Sequence, residues 1–147
     1  MPGRSIAVLK RIATLPLATW TTLARVVPAV AAVRLALWVL PYRTVLAVFG
    51  HPTHYRVRSA AYARTTLQVT DWVGRTALGD RPCLTQALAA RWLLGRAGYA
   101  AELKLGARRD GDRFLAHAWL EMGGRVVLGG ADSPALYATL TSVPAAA

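Results

Sequence analysis

The stretch GDRPCLTQALAARWLLGRAG, residues 79–98, decides the fold of this chain. From Cys83 to Ala97 its side chains are apolar around nearly the whole circumference of a helix, which is typical of a helix buried on all sides. Pro82 suits the first position of a helix, where no N–H is needed, and Gly98 suits its end. We therefore predict a central, buried helix over residues 83–97, preceded by a loop over Gly79–Pro82.

Downstream of this helix the apolar pattern changes to that of strands. Ala101–Leu105 predicts a first strand, and Arg108–Gly111 predicts a charged turn. Arg113–Met122 and Arg125–Leu128 predict two more strands, joined by Gly123-Gly124, a pair that favours a two-residue hairpin turn. A buried helix followed by a small antiparallel sheet predicts an α+β fold.

The residues before the central helix also predict helices. Residues 5–49 follow a helical pattern in pieces broken at Pro16, Pro28 and Pro41, because proline interrupts helical hydrogen bonding. Residues 55–73 predict one further helix. The core is thus expected to carry a helical N-terminal extension.

Charge is distributed unevenly along the 147 residues. The net charge is +11, from 18 Lys and Arg against seven Asp and Glu, and all seven acids lie at or after Asp71. We therefore expect a basic helical segment over residues 1–70, which docks on a partner or substrate, and a core over residues 71–147. A basic surface attracts anions, but no helix-turn-helix, RNA-binding or aromatic-stacking signature indicates nucleic acid.

The single cysteine and the broken apolar runs bear on location. One cysteine excludes an intramolecular disulfide and suits the reducing cytoplasm, where we expect the protein to act. Arg25 and Arg34 interrupt the N-terminal apolar stretch, so no uncharged run approaches the ~18 residues that a membrane span needs. We expect helices that cover the core or meet a partner protein, with attachment to a membrane surface as the alternative.

Cys83 and His117 are the residues that point to chemistry. Cys83 falls in the first turn of the predicted helix, where the helix dipole favours a thiolate and unpaired N–H groups can receive an oxyanion. His117 lies in an apolar strand, where its ordinary role is that of a core histidine. Together, a cysteine at a helix start and a histidine on a following strand form the arrangement in which a base activates a thiol.

Three alternatives remain open from the residues alone. His51 and His54, with Cys83 and His117, would supply four zinc ligands, although no second chelating pair accompanies them. A non-enzymatic basic adaptor would bind through residues 1–70. A thioester on Cys83 could also pass its acyl group to an amine instead of water.

The same residues resemble a known family. The motifs are PCLxxAL over residues 82–88, WLL over residues 92–94 and FxxHAWLE over residues 114–121, followed by Gly124-Arg125. They resemble the transglutaminase-like cysteine peptidases, and among these the stand-alone leader peptidase of lasso-peptide biosynthesis. The resemblance implies a papain-like core in which Cys83 attacks a peptide bond and His117 transfers the proton, with no cofactor and no metal. It also implies a precursor-peptide substrate, a small leader-binding partner protein and a separate ATP-dependent cyclase.

The third member of the triad departs from the family. The family commonly has an Asp at the position that aligns with Gly129, where this chain has Gly129-Gly130. Asp132 is the nearest candidate, because a two-residue turn would put Gly130 opposite His117 and Asp132 one diagonal step away on the same face. A backbone carbonyl or a water could orient His117 instead.

Overall fold

The computed structural model describes residues 16–50, 56–79 and 82–144, which form five helices and four strands. The helices are α1 (Leu17–Val39), α2 (Tyr42–Gly50), α3 (Ala60–Ala77), α4 (Cys83–Arg96) and the short α5 (Ser133–Leu136). The strands are β1 (Glu102–Asp110), β2 (Arg113–Met122), β3 (Arg125–Leu128) and β4 (Ala138–Val143). The predicted α+β fold is confirmed.

Helix α4 is the centre of the molecule. It contacts α1, α2 and α3 on one side and β1 and β2 on the other. Four consecutive residues, Ala87–Ala90, are 0% exposed, and Leu94 is also 0% exposed, so the helix is enclosed on all sides. The prediction of a buried central helix is confirmed, and the positive φ of Gly98 (82°) ends the helix as expected.

Arg91 is the one charged residue buried within α4. Its Nε donates to the carbonyl of Ala101 at 3.1 Å and its Nη2 donates to the carbonyl of Pro144 at 2.5 Å. The side chain is 3% exposed, and this burial lowers the pKa of Arg91. A single guanidinium therefore joins the central helix to the start of β1 and the residue after β4.

The helices before α4 differ from expectation at Pro28 and in the bounds of α3, which covers Ala60–Ala77 where residues 55–73 were expected. The break predicted at Pro41 is confirmed between α1 and α2, whereas the break predicted at Pro28 is wrong because α1 continues through it. Burial of Val26, Ala29 and Val30 on both sides of Pro28 offsets the lost helical hydrogen bond.

The compositional boundary at residue 70 falls inside α3, and the division into two parts stays a prediction.

The sheet has four antiparallel strands in the order β3-β2-β1-β4. The Gly123-Gly124 hairpin is confirmed, with φ of 56° and 74° at the two glycines. The turn predicted over Arg108–Gly111 is wrong in its start, since β1 continues to Asp110. Strand β4, at the far edge, was not predicted.

Helix α1 presents much apolar surface. Among the described residues, it is the one helix that is long and apolar enough to cross a membrane, judged by length and composition alone, with a mean hydropathy of 1.6. Val26, Val30 and Val33 pack into the core, while Trp38 is 85% exposed and Leu35 is 63% exposed. A core helix of a soluble protein passes the same test, so this is weak evidence for a membrane span.

Candidate functional site

Cys83 occupies the first position of the central helix. Pro82 is its N-cap, one position earlier than predicted, and no side chain caps the helix start. The first intrahelical bond runs from the Gln86 N–H to the Pro82 carbonyl at 2.9 Å, so the N–H groups before Gln86 have no partner within the helix. Cys83 is half-buried and packs against the core cluster. The predicted position of Cys83 in the first turn of the helix is confirmed, and its role stays a prediction.

His117 lies in the middle of β2, opposite Gly106 of β1. Its Nε2 is 2.6 Å from the carbonyl oxygen of Gly129. A carbonyl can only accept, so Nε2 carries the proton, and in the neutral ring Nδ1 then carries a lone pair. The imidazole also packs against Tyr137 (ring centroids 4.9 Å apart) and Trp119 (6.1 Å). The hydrogen bond and the two rings together hold the imidazole in one orientation and one tautomer.

The position of the Gly129 carbonyl depends on a backbone conformation and a close contact that only glycine allows. Its φ is +102°, in the region that favours glycine, and a Cβ built on it would lie 2.6 Å from the Cβ of Trp119. The hydroxyl of Ser133 donates to the same carbonyl at 2.8 Å. An aspartate side chain at this position, as in the family pattern, does not fit this backbone.

Asp132 does not contact His117 in the described structure. It is exposed, it precedes α5 as the N-cap, and its side chain makes no capping hydrogen bond. The expected pairing of Gly130 with His117 is wrong: the register shifts by one residue between Leu120 and Glu121, and the ladder ends at Leu128. The catalytic role of Asp132 stays a prediction, and the group that meets His117 is a backbone carbonyl.

Cys83 and His117 lie on different elements, α4 and β2, and they make no hydrogen bond to each other in the described structure. Leu120 and Ala118 face the helical core, so His117, one residue along, belongs to the opposite face of β2. It also lies beyond the last β2–β3 pair, at Leu120, where β3 no longer covers the edge of β2.

Helix α3 lies beside residues near Cys83 and residues near His117. Gln86, in the same turn as Cys83, donates to the carbonyl of Asp71 at 3.1 Å. Asp71 also lines a cavity of about 250 Å³ together with Gly129 and Gly130. The first turn of α4 and the carbonyl that holds His117 therefore both lie beside the same segment of α3.

Trp119 and Glu121 support the strand that carries His117. Trp119 is 0% exposed, and its Nε1 donates to Glu121 at 2.8 Å. The carboxylate of Glu121 is also 4.0 Å from the ammonium of Lys104 on β1. These contacts fix Trp119, against which both the imidazole of His117 and the backbone of Gly129 pack.

The zinc alternative is not tested, because His51 and His54 lie outside the described residues. Within the described ranges, no group of three or more His, Cys, Asp or Glu side chains could hold a metal ion. Sequence reasoning missed Tyr137 and Ser133, and it allowed for a backbone carbonyl as the partner of His117 without identifying Gly129. A backbone acceptor has no side-chain signature, and the only available signal was the unusual Gly129-Gly130 pair.

The comparisons with known proteins give one match. A family model described as the transglutaminase-like superfamily matches residues 26–142, which is most of the chain. No curated protein and no solved structure matches. The match includes Cys83, His117, the first three strands and all but the last residue of β4, and it agrees with a cysteine-bearing central helix beside an antiparallel sheet. The chain therefore belongs to the transglutaminase-like superfamily.

Proposed function

We propose that this protein is a cysteine peptidase that removes the leader from a lasso-peptide precursor, so that a separate ATP-dependent cyclase can close the macrolactam. The superfamily supports thiol chemistry, since its members are commonly cysteine peptidases or acyltransferases. The observation that carries the proposal is the hydrogen bond from His117 to Gly129, which leaves Nδ1 free to act as a base. The motifs around Cys83 and His117 supply the narrower assignment to leader removal.

The proposed reaction begins at the thiol of Cys83. The proton on Sγ passes to Nδ1 of His117 as Sγ bonds to the carbonyl carbon of the scissile peptide, and the oxyanion accepts from unpaired N–H groups in the first turn of α4. The C–N bond then breaks, and Nδ1–H protonates the departing amine. Water, deprotonated by His117, hydrolyses the thioester and regenerates the thiol. These steps require Sγ and Nδ1 to come within hydrogen-bond reach once substrate is bound.

The Gly129 carbonyl takes the role of the triad acid in this proposal. It accepts from Nε2–H and so orients the ring, as a carboxylate does in a Ser-His-Asp triad. A carbonyl dipole stabilises the imidazolium less than a full charge would. We therefore propose that the backbone orients this dyad, and the substitution Asp132→Asn tests the alternative that Asp132 does so.

We propose that a small leader-binding protein presents the precursor to this peptidase. The acid-free residues 1–70 and the exposed apolar side chains of α1, among them Leu35 and Trp38, support a docking role for the N-terminal helices. Association should weaken as salt rises from about 0.05 to 0.5 M, because the Debye length falls from ~14 to ~4 Å. Association that is indifferent to salt would contradict an electrostatic contribution.

Mass spectrometry of precursor peptides tests the proposal directly. The protein is incubated with candidate precursors, with and without a leader-binding protein, and Cys83→Ala and His117→Ala should each abolish leader release. His54→Ala is the matched control, since it should cleave normally; if it does not, metal analysis of the pure protein decides the zinc alternative. Release that persists in His117→Ala would refute the assignment of the base.

The product distinguishes hydrolysis from its alternatives. Added primary amines should leave the cleaved products unchanged if water is the acceptor, whereas an acyltransferase would give amide adducts on the acyl fragment. A non-enzymatic adaptor would give neither product, and Cys83→Ala would leave its binding unaltered.

A further inference from the structure

A cavity of about 600 Å³ opens at the end of α4 that lies away from Cys83. Four arginines line it: Arg25 from α1, Arg56 and Arg58 from the segment before α3, and Arg96 from the end of α4. None of them forms an ion pair with a carboxylate of the described residues. Four uncompensated like charges around one cavity repel each other, and a bound anion would relieve that repulsion.

Aromatic rings hold three of these guanidinium groups. The Cζ atoms of Arg25 and Arg58 each lie 5.5 Å from the ring centroid of Tyr62, and that of Arg96 lies 5.1 Å from the ring centroid of Trp92. These cation–π contacts restrain the guanidinium groups, whose N–H edges make no hydrogen bond to other described residues. Such edges bind carboxylates and phosphates in bidentate geometry, with less conformational entropy lost than for a free side chain.

The rest of the lining is apolar and comes from Pro28, Leu93 and Ala97 besides the two rings. The cavity volume of about 600 Å³ lies within the range of about 300–1,000 Å³ that encloses a ligand of many atoms. A lone phosphate or headgroup would satisfy the arginines but leave the apolar wall uncovered. We propose that this cavity binds a peptide segment in which carboxylate side chains alternate with apolar ones.

The cavity and the thiol lie at opposite ends of one helix. Cys83 and Arg96 bound a helix of 14 residues, which at ~1.5 Å per residue separates them by roughly 20 Å. An extended peptide covers this distance in about six residues, at ~3.3 Å each. If the proposed peptidase function holds, the cavity would therefore engage its substrate at least six residues from the scissile bond. The binding itself does not depend on hydrolysis.

Fluorescence anisotropy on the full-length Cys83→Ala protein tests the binding apart from any cleavage. The probe is a labelled peptide of three glutamates alternating with two leucines, and its counterpart has glutamine for glutamate. The cavity variant is Arg58→Gln/Arg96→Gln. The control is Arg64→Gln/Arg113→Gln, which removes two exposed arginines outside the cavity and so changes the net charge equally. Circular dichroism confirms that both variants fold.

We expect the cavity variant to weaken binding of the acidic peptide at least tenfold and the control to weaken it less than about threefold, because charge-assisted hydrogen bonds are local whereas net charge acts at long range. The glutamine peptide should also bind at least tenfold more weakly. Equal losses in the two variants, or equal binding of the two peptides, would overturn the proposal. Inorganic phosphate and phosphatidylglycerol vesicles serve as further probes. Binding of either one that the cavity variant abolishes, with no binding of the acidic peptide, would assign the cavity to a phosphate ligand and reject the peptide.

Discussion

Replacing Gly129 by aspartate puts the family's usual acid at its aligned position, and we expect the change to destabilise the protein without improving catalysis. The backbone φ of +102° is strained for any residue with a Cβ, at a cost of about 1–3 kcal/mol. The new Cβ would also lie 2.6 Å from the Cβ of Trp119 and 3.0 Å from the carbonyl oxygen of Ala118. Crowding of this kind in a packed region adds about 1–3 kcal/mol.

Gly130→Asp is the matched control for Gly129→Asp, because it shares the strain but not the crowding. Its φ is +99°, and the nearest atom to its Cβ is the hydroxyl oxygen of Ser133 at an ordinary 3.5 Å. The free energy of unfolding should therefore fall by about 1–3 kcal/mol more in Gly129→Asp than in Gly130→Asp. For a chain of 147 residues, this difference lowers Tm by about 2–12 °C, at 2–4 °C per kcal/mol.

Calorimetry and urea titration measure the stability difference, and leader cleavage measures the effect of Gly129→Asp on the site. Moving the Gly129 carbonyl away from Nε2 of His117 should lower turnover, since the ring loses its acceptor. Equal losses of stability in the two variants would refute the argument from crowding. A Gly129→Asp protein of normal Tm with higher turnover would refute the backbone-oriented base, because the carboxylate would then have joined the triad.

Three further substitutions test other contacts. Asp132→Asn should change turnover by no more than about twofold, as for an exposed side chain that makes no hydrogen bond to the described residues. A tenfold loss would identify Asp132 as the orienting acid. Arg91→Lys should lower the free energy of unfolding by about 1–3 kcal/mol, because one ammonium cannot replace a guanidinium that bonds two carbonyls. The control is Arg75→Lys, on the surface. Equal urea midpoints for these two variants would contradict the reasoning. Gly74→Ala should destabilise by about 1–3 kcal/mol despite a helix-propensity gain of ~1 kcal/mol, because its Cβ would overlap the amide of Gln86. In urea titration, the double variant Gly74→Ala/Gln86→Ala should lose less stability than the sum of the two single variants. Losses that add strictly would show that the two side chains do not clash.

Local signals explain what could be predicted from the sequence. Helix α4 and the β2–β3 hairpin have their periodicity, their glycines and their apolar residues within the segment itself, and the predicted bounds agree with the structure to within one residue. The first-turn position of Cys83 follows from Pro82 in the same way. Its catalytic role and that of His117 stay predictions, because position alone does not show reactivity.

Tertiary contacts explain what the sequence did not reveal. Pro28 remains helical because neighbouring valines are buried. A rule based on local sequence counts the missing N–H of proline but does not include this burial. Strand β4 has five exposed residues and one half-buried one, so it lacks an alternating pattern, and its partner β1 lies about thirty residues earlier. The register shift beside Glu121 and the carbonyl of Gly129 are backbone features, and residue types do not encode them directly.

The strand order β3-β2-β1-β4 has a consequence for how the sheet assembles. Strands β1, β2 and β3 follow one another through tight turns, whereas β4 reaches β1 only through the connection 129–137, which returns past two strands. Short loops close at a lower entropic cost, so we expect the three-stranded meander to form first and β4 to dock last. Tyr137, which packs on His117, immediately precedes β4. Partial opening that detaches β4 therefore uncovers the imidazole while the rest of the sheet persists, and the amides of β4 should exchange with solvent before those of β2.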